Sequence, residues 1–297
     1  MTNFFPESKP MGRRKFMTLG LQGAVAMALT PTMVRALLAG GNQAKLEVPP
    51  ELLQKVITSA LKRGGDLAEV YVENRISRTI LLEEGKFKSA VFGLVGGAGV
   101  RVIDGDKTGY AYSDEVTEEK LLRAAEVASF IASSGKKIKP VNIKEQKRPS
   151  YVTVKIPLEE VAEARRMEIM KRAEDAALSY DPRIKMASID YYDETRDRLI
   201  ANSEGLLLKS SLPLIFFIVQ TLAVGNGSSH MGRERLSRHA GLEMFEEESP
   251  EKAAREAARE SIAMLEAKEA PAGKMDVVIQ NGWGGVLVHE AVGHPLE

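Results

Sequence analysis

The residues with most chemical potential stand together in the string His289-Glu290-Ala291-Val292-Gly293-His294-Pro295-Leu296-Glu297. Neutral imidazoles are preferred zinc ligands, and a catalytic zinc site uses three protein ligands and keeps one position for water. A carboxylate beside the first ligand can take the proton of that water, which the metal makes far more acidic. His289 and His294 are therefore candidate metal ligands and Glu290 a candidate general base. Glu297, three residues after His294, is a candidate for orienting a ligand from outside the coordination sphere. The bland alternatives are two hydrogen-bonded structural histidines and a solvated glutamate.

The spacing makes a geometric demand. Helical residues four apart lie about 40° from each other around the axis, but residues five apart lie about 140° apart. His289 and His294 are five apart, so a regular helix would not converge them. A π-bulge absorbs one extra residue in a turn and restores the alignment. Alternatively the helix breaks at Gly293, which tolerates a bend, aided by Pro295, which disfavours helical backbone at His294. Both routes predict a locally distorted helix.

The elements that must carry this motif read as an α+β chain. Apolar spacing predicts a helix from Glu51 to Lys62, stopped by Gly64-Gly65. Strand-like runs follow at Ala68–Val72, Arg78–Leu82 and Ala98–Ile103. Asp104-Gly105 then signals a hairpin into Thr108–Tyr112. Ser113 or Thr117 can cap a helix from Glu118 to Ala132. Residues 133–150 are lysine-rich with two prolines and read as a surface linker. A second helix (Leu158–Ser179) leads into strands Ile184–Tyr192, Arg198–Asn202 and Leu206–Val224, then a helix from Ser249 or Glu251 to Lys268. Met275–Gln280 reads as a last strand, and Asn281 to Gly285 as the turn that delivers the chain into the motif helix. The halves share an element order without a visible sequence repeat. The expected domains are a mixed helix and antiparallel-sheet unit over 48–225 and the start of a β-rich catalytic domain over 226–297.

The terminal string, preceded by Gly282-Trp283-Gly284-Gly285-Val286-Leu287-Val288, resembles the signature of the TldD/PmbA family of metallopeptidases. Gly97-Ala98-Gly99-Val100-Arg101-Val102-Ile103, Gly109-Tyr110-Ala111 and Asn202-Ser203-Glu204-Gly205 are similar to that family's upstream strands and turn. The resemblance spans roughly residues 50–297. It implies a zinc-dependent peptidase acting on peptides or unfolded segments, working as a homo- or hetero-oligomer with a related subunit. It also implies one Zn2+ per site, held by His289 and His294, with Glu290 as base. The third ligand it implies is a cysteine in a C-terminal half; the chain has no cysteine, so that ligand is expected outside this sequence and the chain is expected to be truncated. Rival readings are a non-catalytic partner or scaffold subunit, and an exported binding protein.

Composition narrows the remaining classes. Lys+Arg and Asp+Glu both number 41, so net charge is zero and wholesale nucleic-acid binding is not expected. Without cysteine there is no disulfide and no thiol nucleophile. Lys9, Arg13-Arg14 and Lys15 precede a diluted apolar stretch, so residues 1–40 resemble a twin-arginine export segment. Export from the cytoplasm is expected on that ground, a cytoplasmic protein being the alternative, and no stable membrane span is expected. Gly93, Gly96, Gly97 and Gly99 match neither a dinucleotide nor a P-loop spacing and read as strand bends. Arg233, Arg235, Arg238, His230 and His239 read as an exposed strand edge. Trp283 reads as a packing residue.

Overall fold

A computed structural model describes residues 47–133, 140, 142–147, 150–282 and 284–296. The expected export segment (1–40), Glu297, Trp283 and much of the lysine-rich tract lie outside these residues. Two successive units of the same build make one sheet. In the first, α1 (Pro50–Ala60) precedes β1 (Leu67–Glu83), β2 (Lys86–Asp104) and β3 (Lys107–Ser113), and α2 (Glu118–Ala132) closes it. In the second, α3 (Glu163–Leu178) precedes β5 (Ile184–Asn202), β6 (Leu206–Gly225) and β7 (Ser228–Arg238), and α5 (Pro250–Glu266) closes it after the short α4 (Met244–Glu247). Between the units, β4 (Lys144–Glu145) pairs parallel to the start of β6. The sheet runs β3-β2-β1-β5-β6, with β7 also on β6, so the units meet at the antiparallel β1–β5 pair.

Each helix end has a local cause. Pro50 stands at the start of α1, where the missing N–H costs nothing. The Thr117 side chain accepts from the Lys120 N–H and caps α2; Ser249 does the same for Lys252 at α5. Among the described residues, the long helices α1, α2, α3 and α5 lie on one sheet face. Leu53, Val56 and Ile57 of α1 and Leu121 and Ala125 of α2 bury against Val70, Val72 and Val100. Met170 and Ala173 of α3 and Ala254 and Ala257 of α5 bury against Ile189, Tyr191, Phe217 and Val219. Two matching glycines admit the closing helices. A Cβ on Gly109 would stand 2.0 Å from the Ala128 carbonyl oxygen of α2, and one on Gly232 would stand 2.0 Å from that of Ala257 in α5. Only the absence of a side chain allows backbones this close.

Three expectations change. The runs 68–72 and 78–82 are one strand, as are 184–192 and 198–202. Their polar middles do not break the ladder, because the backbone bonds continue and the charges find partners. The expected domain limit at 225/226 falls in the β6–β7 turn, and β7 and α5 complete the same sheet and core. Met275–Gln280 is not a strand, having no neighbour to pair with among the described residues. Beside β4, the Ile143 N–H donates to the Gln54 side chain at 3.0 Å.

Candidate metal centre

The motif helix is short and changes pitch at the histidine. α6 (Gly284–Val288) passes into a π turn over His289–Gly293 and a 3-10 turn over His294–Leu296. The His294 N–H donates to the His289 carbonyl, the five-residue step that defines a π turn. That extra residue per turn brings the two imidazoles onto one side. Their ring centroids lie 4.5 Å apart with planes at 61°. Glu290 joins them, its Oε2 3.8 Å from His294 Nε2. One ligand-capable atom from each of His289, Glu290 and His294 lies within 4.8 Å of the others.

Gly293 makes room for this arrangement. A Cβ there would stand 3.0 Å from His289 Nδ1, tight enough to push the ring. The donor set suits zinc: two borderline nitrogen donors with a carboxylate alongside. All three side chains are exposed, as are Val286, Leu287, Val288 and Val292 around them.

His230 and His239 do not join this group. His239 Nδ1 is 2.9 Å from the Pro213 carbonyl oxygen. The arginines nearby serve the strand edge: Arg238 pairs with Glu247 at 2.6 Å and with Glu248, and Arg235 lies over the Phe216 ring at 5.0 Å.

The sequence reading missed a fully buried ionic cluster. Arg166 Nε donates to Asp193 Oδ2 at 2.8 Å, and its other nitrogens donate to the carbonyls of Val161 and Leu158 at 2.7 and 2.6 Å. The Tyr191 hydroxyl donates to the same Asp193 oxygen at 2.7 Å, and Arg78 approaches Oδ1 at 3.4 Å. Burial first, and then Asp193, push the Tyr191 phenol well above its ordinary range. The one available signal was the charged run Asp193-Glu194-Thr195-Arg196-Asp197 between two strand patterns.

Fold and site together describe an α+β protein with a candidate metal centre on its last turns. Two family models match it: PmbA/TldA metallopeptidase domain 1 over residues 68–132, and the central domain of the same metallopeptidases over residues 156–265. These are the two structural units. The chain belongs to the PmbA/TldD metallopeptidase family.

Among its relatives is the metalloprotease TldD homolog of Haemophilus influenzae, 32% identical over 242 residues, covering 79% of this chain and 50% of that protein. A metalloprotease of Methanothermobacter thermautotrophicus is 23% identical, covering 85% of this chain and 55% of its own length. Similar solved structures include TldE of Thermococcus kodakarensis (TM-score 0.54, 18% identity, 69% of this chain and 46% of that one). A Thermotoga maritima protein described as a candidate modulator of a DNA gyrase is also similar (TM-score 0.61, 20% identity, 75% and 50%). The chain thus spans about half the length of the curated relatives it matches.

Proposed function

We propose that this chain contributes to a zinc-dependent peptidase, with His289 and His294 as ligands and Glu290 as general base. The observation that carries the reading is the convergence of these three side chains within 4.8 Å on a π turn. When bound, zinc would supply Lewis acidity toward a scissile carbonyl and a water of lowered pKa. Glu290 accepts a proton from the attacking water and returns it to the departing amine. The π turn keeps both imidazoles on the side from which Glu290 works. Peptides or unfolded segments are the substrates this chemistry suits. The names of the relatives support the reading, and the likeness to TldE supports pairing with a related subunit.

Metal analysis after purification tests it. In the assembled enzyme, where a further ligand completes the site, wild type and Glu290→Gln are expected to retain zinc, whereas His289→Ala and His294→Ala lose it. Equal zinc in all four proteins would remove the assignment. We further propose that residues 1–40 direct export; Arg13→Lys with Arg14→Lys should then leave the protein in the cytoplasm on fractionation.

A further inference from the structure

The pairing of β1 with β5 brings together two copies of one short pattern. Tyr71-x-Glu73-x-Arg75 lies on β1 and Tyr192-x-Glu194-x-Arg196 on β5. The register sets Arg75 directly opposite Arg196, Glu73 opposite Arg198 and Glu194 opposite Ser77. Alternation along each strand puts these side chains on one face of the sheet, the face opposite the long helices. The two copies are related by a local two-fold centred on the Arg75–Arg196 pair. The symmetry is broken at one place, where β1 has Ser77 and β5 has Arg198, so three guanidinia stand over two carboxylates.

The glutamates do not settle this charge. Each is first engaged by the tyrosine two places before it: the Tyr71 hydroxyl donates to Glu73, and the Tyr192 hydroxyl to Glu194 at 2.6 Å. Glu194 also accepts from Arg196 Nη2 at 2.9 Å, but it lies 3.9 Å from Arg75. Glu73 stands 4.0 Å from Arg196 and 3.9 Å from Arg198, too far for a hydrogen bond to either. The Nε–H groups of Arg75, Arg196 and Arg198 are buried with no hydrogen-bond partner among the described residues. Val95 and Leu212, next to the arginine pair on the outer strands, offer neither counter-charge nor acceptor.

Like charges directly opposite each other destabilise a strand pair, and a buried donor left unpaired in a native fold calls for a partner. That partner has access, because the arginine side chains are 36%, 30% and 34% exposed and can turn an edge toward an incoming group. Guanidinium N–H groups match the two oxygens of a carboxylate. With Glu73 and Glu194 alongside, the local excess is a single positive charge, which suits a carboxylate better than a more highly charged phosphate. We propose that Arg75, Arg196 and Arg198 bind a carboxylate, supplied by an acidic side chain of a peptide. The anion preference rests on the three guanidinia; the peptide as its source rests on the peptidase reading.

Calorimetric titration of the chain, without added zinc, with the capped peptide Ala-Ala-Glu-Ala-Ala and its glutamine counterpart tests this, since glutamine keeps the shape and loses the charge. The glutamate peptide is expected to bind about tenfold more tightly, and the difference should shrink as salt rises. Arg75→Gln and Arg198→Gln should each remove most of that preference. Both leave the glutamates partnered, Glu194 by Arg196 and Tyr192 and Glu73 by Tyr71. Arg75→Gln also relieves the opposed pair, so the melting temperature of the ligand-free chain should stay level or rise. A clear fall would mark Arg75 as structural and overturn the proposal. Equal affinity for the two peptides, or a preference that survives both substitutions, would overturn it as well. Acetate binding as tightly as the glutamate peptide would overturn the peptide as source. A chain that discriminates the peptides while the assembled enzyme fails the zinc test sinks only the peptidase reading.

Discussion

At the residue scale the molecule depends on side chains that are present and on one that is missing. Gly293 lets the His289 ring lie against the π turn; Gly293→Ala should displace it and weaken zinc binding on the order of tenfold, measured by competition with a chelating dye. Asp193 answers Arg166 in the interior, where both side chains are fully buried. Removing one partner of such a pair leaves an uncompensated charge, so Asp193→Ala should cost about 3–5 kcal/mol in urea unfolding. Arg166→Met combined with Asp193→Leu should recover part of that loss. A double variant no more stable than Asp193→Ala would show that the cluster is more than one ion pair with its carbonyl anchors.

At the element scale the π turn converts a five-residue spacing into a converged histidine pair. Deleting Val292 would turn the five-residue interval into four, which a regular α-turn can align. On the proposed zinc reading, the shortened protein should bind zinc within severalfold of the unshortened one while the five-residue backbone bond disappears from its structure; loss of binding would mean that the π geometry itself is needed. The closing helices give a paired prediction. Gly109→Ala and Gly232→Ala each force a Cβ against a helix carbonyl at 2.0 Å. Each should destabilise by at least about 1–3 kcal/mol, the usual cost of overpacking, and by similar amounts because the sites are equivalent. Thermal melts of the two variants check this directly.

At the scale of the whole molecule, two units of helix, three antiparallel strands and helix share one sheet through β1 and β5. That pairing runs from Glu69↔Asn202 to Glu83↔Ser188, most of both strands. Residues 50–266 are therefore expected to open as one cooperative body in hydrogen exchange. Two separate protection levels, one for each unit, would contradict the shared sheet. The terminal turns stand apart, with their apolar residues exposed, and should exchange fastest.

Much of this was legible in the chain itself, because the signals were local. Helix limits followed from apolar spacing with Thr117 and Ser249 at the starts; Asp104-Gly105 announced the β2–β3 hairpin; the His289–His294 interval called for a distorted helix. These are contests between neighbours in sequence. What needed partners from far away was not legible. Asp193 to Asp197 looked like a break until Arg166 and Arg78, brought in from α3 and β1, gave the carboxylate of Asp193 a place in the interior. Met275–Gln280 looked like a strand but has no ladder among the described residues. Periodicity and caps are written over a few residues, whereas the neutralisation of a buried charge and the pairing of an edge are set only when distant segments meet.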